Sequence, residues 1–192
     1  MNVGIVVEHE RDYVAYDQFI RKIRPDFETV EYPCGDVSTL KREFVAGLKY
    51  FQYFAPNTPH AIGKAFVIRD SDCKDALTCE EELRRTYERS HFVPHFDVQF
   101  HATKCELETW LLVDENAINE VSQRRGKGIR LGRARIDFET YKDAKELFVK
   151  RLSEARLPND SQVYREIASC ADINQLALNC PNFRRFIAKV QA

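Results

Sequence analysis

The chain has 192 residues, 44% hydrophobic and 31% charged, a balance that suits a globular domain and excludes disordered and fibrous classes. Its 29 basic and 30 acidic residues leave a net charge of −1, so any pull toward nucleic acid must come from a local patch. No run approaches the roughly 18 apolar residues of a membrane span, and the N-terminus lacks the basic and apolar regions of a signal peptide.

In chain order, Val3–Val7 reads as a buried strand that runs straight into Glu8, His9, Glu10, Arg11 and Asp12. A helical spacing over residues 13–24 stops before Pro25, and FETVEY at 27–32 is a second strand. Asp36 or Ser38 caps a helix that ends before Pro56. KAFVIRD at 64–70 is a third strand ending in acid, a charged helix follows at 77–89, and HFDVQFHA at 95–102 alternates as a fourth strand. Strand–helix alternation predicts an α/β fold with a parallel sheet covered on both faces. After residue 105 the pattern turns helical, through CELETWLLVDENAINEVSQ and TYKDAKELFVKRLSEA, interrupted by a Gly- and Arg-rich loop at 122–135. A single domain is expected, residues 1–192, with an α/β core to residue 105 and a mainly helical extension over 106–192.

The acids stand where such sheets bind ligands, outside the carboxyl ends of the strands. Strand one delivers Glu8 there, strand three delivers Asp70 and Asp72, and Asp12 lies close to Glu8 across a tight turn. Neighbouring parallel strands are ~4.8 Å apart, so these carboxylates can meet. Like charges that close need protons or a divalent cation, and hard oxygen donors select magnesium, manganese or calcium. Either strand-end group alone reads sooner as helix-capping chemistry than as a metal site; two at one edge reverse that and favour a site.

A glutamate after strand one with Asp-x-Asp after strand three resembles the TOPRIM fold of topoisomerases, primases and OLD-family nucleases. The likeness is closest to small stand-alone TOPRIM-like proteins related to the OLD nucleases. Glu8 and Asp12 match the first motif, with His9 in place of its glycine; Asp70-Ser71-Asp72 matches the second. CELETWLL is similar to a segment with a carboxylate before an aromatic and a Leu-Leu pair, which assigns Glu108. KDAKELFVKRL resembles a Pro-Lys-Glu segment that supplies an active-site lysine, here Lys145, with Ala144 for the proline. The resemblance implies a TOPRIM-like sheet with a helical C-terminal portion and a Mg2+- or Mn2+-dependent nuclease acting on DNA or RNA. It further implies two ions, one on Asp70 and Asp72 and one on Glu8 and Asp12. Glu108 would orient water and Lys145 would steady the phosphate. By the same resemblance the partner is an ABC- or OLD-type ATPase in anti-phage defence.

Arg124, Arg125, Lys127, Arg130, Arg133 and Arg135 form a local basic patch without an acid among them, a candidate clamp for a nucleic-acid backbone. The aromatic run at residues 50–54 suits either a core or a surface between two copies of the chain. Six cysteines (Cys34, Cys73, Cys79, Cys105, Cys170, Cys180) without a C-x-x-C pair predict reduced thiols in a cytoplasmic protein. His95 and His101 read as strand-edge residues, while His9 sits among the acids as a candidate proton shuttle. Two other readings remain open from the residues: a phosphoacceptor module resting on Asp70 alone, and an interaction subunit without catalysis.

Overall fold

The computed structural model describes residues 1–54, 61–132 and 141–192. Four strands, β1 (Asn2–Val7), β2 (Glu28–Pro33), β3 (Ile62–Asp70) and β4 (Asp97–Thr103), make an all-parallel sheet in the order β2-β1-β3-β4. The chain leaves β1 toward β2 on one side and returns to place β3 on the other. The order therefore reverses between β1 and β3, the crevice where open α/β sheets take ligands.

The pleat of β1 divides the interior. Val3, Ile5 and Val7 point into a core shared with α1 (Glu10–Ile23), whereas Val6 packs with α2 (Val37–Tyr53) and α3 (Ala76–Arg89) on the opposite face. Gly4 is needed for that closure, because a Cβ there would meet the Phe51 ring at 2.4 Å. Asp36 caps α2 as expected, accepting the N–H groups of Ser38 and Thr39. The residues of the aromatic run divide: Phe51 is buried, while Tyr50 and Tyr53 are exposed.

Beyond β4 come α4 (Leu107–Val113), α5 (Glu115–Arg124), α6 (Ala144–Glu154), α7 (Ser161–Cys170), α8 (Ile173–Asn179) and α9 (Pro181–Gln191). These helices do not form a separate layer of their own. They share one apolar cluster with α1 and the sheet. At its centre Trp110 meets Tyr16, Phe19, Phe183 and Phe186 edge-on or tilted, at centroid distances of 4.7 to 5.9 Å. The helical segment expected across 105–123 is broken at Asp114, whose carboxylate caps α5 through Asn116 N–H and also accepts from Asp172 N–H.

His101 departs from the strand-edge expectation. It is fully buried, because α9 covers β4 and brings Lys189 and Arg185 onto Glu80 at 2.8 Å each. Glu80 also accepts from the backbone of Ala102, so this cation–carboxylate group fastens the last helix to the sheet. Burial and the two cations hold the His101 imidazole neutral, its pKa well below the usual value.

The cysteines also require correction. Cys73 and Cys105 are joined in a disulfide, and Cys34, Cys79, Cys170 and Cys180 are not disulfide-bonded. The pairing follows from register: Asp70 is opposite Thr103 on adjacent strands, so Cys73 and Cys105 leave the sheet side by side. The bridge closes a sequence separation of 32 residues, which by chain entropy stabilises by roughly 3–4 kcal/mol. Reduction with a dithiol is expected to lower the melting temperature by about 6–15 °C, read by circular dichroism. A Cys73→Ser, Cys105→Ser double variant should melt at the reduced value with or without reductant.

Candidate active site at the carboxyl edge of the sheet

Glu8 immediately follows β1, and its Oε1 accepts the backbone N–H of Asp70 at 3.2 Å. The two acid-bearing strand ends thus meet across the β1–β3 crevice. Asp12 enters from the first turn of α1, where its carboxylate accepts His9 N–H at 3.0 Å. Glu108 comes from the first turn of α4, only 5% exposed, and Tyr164 on α7 donates its hydroxyl to Glu108 Oε1 at 2.8 Å.

These carboxyls feel one another. Burial raises Glu8 to about 7, assisted by the charges of Asp12 and Asp72 and opposed by Asp70 N–H and the Arg69 guanidinium. Burial and then the Glu108 charge raise Asp12 to about 7, against His9 N–H, Lys145 and Arg11. Asp70 is raised well above the carboxylate range by burial and then by Asp12, Glu108, Glu8 and Glu106. Acids from β1, α1, β3 and α4 therefore share one poorly solvated space, and their repulsion is relieved only by protons or cations.

The surrounding chain is built to hold that space. Arg69, nearly fully buried, donates to the Asp70 carbonyl at 3.0 Å and to Glu82 at 3.3 Å. Tyr16 hydrogen-bonds Thr103 Oγ1 at 2.6 Å beneath Asp70. The β3 and β4 exits are sewn together by Ser71 N–H to Thr103 O, Asp72 N–H to Cys105 O and Cys105 N–H to Ser71 Oγ, besides the disulfide. Cys73 and Cys105 both have positive φ, 58° and 59°, conformations that non-glycine residues seldom adopt.

The remaining expected residues divide. Lys145, in the first turn of α6, donates its backbone N–H to Glu106 Oε2 at 2.9 Å, and its ammonium acts on both Asp12 and Glu106. Asp72 is not gathered with the buried acids: its φ is 50° and its side chain, 52% exposed, lies 3.8 Å from Lys74. His9 is exposed as the N-cap of α1, so it stands outside the acid group. The basic segment is also corrected in part. Arg124 ends α5 and pairs with Glu120 one turn back, and Arg125 forms a two-pronged ion pair with Glu166 at 2.7 and 2.8 Å. Lys127 and Arg130 are exposed and pair with no acid among the described residues; Arg133 and Arg135 lie outside the described residues.

Sequence reading gives no role to three residues of this region. Glu106 follows Cys105, and its acidity is weakened chiefly by burial. Tyr164 and Arg69 carry the supporting contacts, and Arg69, inside an apolar strand, was the one with a visible signal. By donor chemistry the set of carboxylates fits a hard divalent cation. As the side chains stand, no group of three or more His, Cys, Asp or Glu among the described residues is drawn in tightly enough to close on a metal ion. No helix of the described residues is long and apolar enough to cross a membrane. Comparison with protein-family models, curated proteins and solved structures gives no match.

Proposed function

We propose that this chain is a Mg2+- or Mn2+-dependent phosphodiesterase acting on a nucleic acid. The observation that carries the reading is the meeting of Glu8, Asp12, Asp70 and Glu108 at the β1–β3 crevice, each of the first three with its acidity weakened by burial and mutual repulsion. A structural group would pair such acids closely enough to keep them ionised, whereas Arg69, Lys145 and Arg11 only partly offset the burial here, and perturbed acids in a crevice mark functional sites.

Bound divalent cations supply charge neutralisation at the phosphate and a more acidic water. Glu8, Asp12, Asp70 and Glu108 are the residues to hold them; Asp72 joins only by turning away from Lys74. Glu108, steadied by the Tyr164 hydroxyl, is placed to accept a proton from the attacking water. Lys145, beside Asp12 and Glu106, meets the negative charge that grows on the phosphate oxygens.

Titration with Mn2+ tests the reading. Calorimetry should show two ions per chain, and cleavage of a labelled oligonucleotide should follow their binding. A chain that binds no Mn2+ is an interaction subunit. One that binds a single ion and takes up an acyl phosphate on Asp70 is a phosphoacceptor module, which the buried Glu108 does not favour. The roles beside an ATPase and in anti-phage defence rest on the sequence resemblance alone.

The basic segment contributes less than its composition suggests. With Arg124 and Arg125 engaged by Glu120 and Glu166, a Lys127→Ala, Arg130→Ala variant should flatten the salt dependence of duplex binding by about 1.8 in log–log slope, at ~0.9 per phosphate contact. An Arg124→Ala variant should change that slope little, as read by fluorescence anisotropy across a salt series.

A further inference from the structure

Arg11 stands one residue before Asp12, in the first turn of α1, yet it makes no ion pair with an acid among the described residues. Two contacts hold it instead. Its Nη1 donates to Asn159 Oδ1 at 3.2 Å, and its guanidinium carbon lies 5.6 Å from the centroid of the Tyr164 ring. That ring belongs to the same tyrosine whose hydroxyl holds Glu108. One side chain therefore fixes an acid of the crevice with its polar tip and a cation at the rim with its face.

An arginine beside several carboxylates gains most by folding onto them. Here the Tyr164 ring and the Asn159 amide hold it instead, with one of its five N–H donors used within the described chain. A planar fork so held is matched in shape and charge to a phosphate. Arg124 and Arg125 are weaker candidates, since they have carboxylate partners of their own.

We propose that Arg11, stacked on Tyr164 and steered by Asn159, grips a backbone phosphate of the substrate polynucleotide at the mouth of the acid crevice. The inference rests on the phosphodiesterase reading and adds the residue that positions the strand.

The test uses the full chain, a fluorescein-labelled single-stranded oligodeoxynucleotide and Mn2+. Arg11→Gln should weaken oligonucleotide binding and raise KM by about 10- to 100-fold, the effect of a lost charge-assisted contact. It should also flatten the salt slope by about 0.7, the value for one phosphate contact on a single strand. Arg11→Lys should regain the slope but only part of the affinity, because the charge returns without the fork. Tyr164→Phe keeps the ring and loses the hydroxyl, so turnover should fall while KM stays near the wild-type value; Tyr164→Leu should raise KM as well. The inference is overturned if Arg11→Gln binds the oligonucleotide like the wild type while Mn2+ affinity changes, for then Arg11 serves only to offset the acids. A wild-type chain that cleaves, with Arg11→Gln unaffected in every respect, sinks the inference alone. A wild-type chain that neither binds nor cuts the oligonucleotide sinks both it and the phosphodiesterase reading.

Discussion

Replacement of Asp70 by asparagine is expected to abolish Mn2+-dependent cleavage, by about 1,000-fold or more on the scale of lost transition-state charge stabilisation, and at the same time to make the metal-free protein more stable. The two effects have one cause. Asp70 ends β3 in a place where burial and the charges of Asp12, Glu108 and Glu8 all oppose its ionised form, so its negative charge costs folding energy that only a ligand can recover. Asparagine keeps the shape and one acceptor while removing the charge. A rise in melting temperature of a few degrees, at roughly 2–4 °C per kcal/mol for a chain of this size, combined with lost cleavage, is the signature of an acid retained for function. A variant that loses both activity and stability would instead make Asp70 a structural residue. Unchanged activity would remove it from the site.

Stability should also depend on pH and on divalent cations together. Glu8 and Asp12 titrate at about 7 in the fold, against about 4 in an unfolded chain. Between those values the folded protein holds protons that the unfolded chain has released. The stability linked to these groups is therefore fully present below about pH 4 and is lost as pH rises through 7. In thermal melts the metal-free protein should weaken from about pH 5 to pH 7.5, and an Asp12→Asn variant should show a shallower decline. Mn2+ at about 100 times its dissociation constant adds ~2.7 kcal/mol, or about 5–11 °C. That gain should be larger at pH 8 than at pH 5.5, where protons occupy the carboxylates. A Mn2+ effect of equal size at both pH values would mean that the ion binds elsewhere.

The sheet was readable from the sequence because β1 and β3 are short apolar runs that lead into acid, and because β1 to β4 alternate with helices of clear amphipathic spacing. The same pattern placed Glu8 and Asp70 at one edge, since a parallel sheet delivers all its strand ends to one side. The limits lie where information is non-local. Cys73 and Cys105 pair because Asp70 and Thr103 are in register, and no count of cysteine spacings contains that register. Arg125 reads as part of an unopposed basic run until α7 brings Glu166 to it. Asp72 sits in a motif that suggests two equivalent acids, yet a backbone turn with φ of 50° sends its side chain outward. His101 shows no sign of burial in a strand of mixed polarity, because the covering helix, α9, comes from the far end of the chain.

The bond between Cys73 and Cys105 also decides what a backbone cut would do. Every peptide link from Lys74 to Lys104, including those in the turn between α3 and β4, lies inside the loop it closes. A protease that nicks that turn would leave two fragments migrating as one species on a non-reducing gel and separating only after reduction. Glu8 and Asp70 on one fragment and Glu108 on the other would stay covalently joined through the cut.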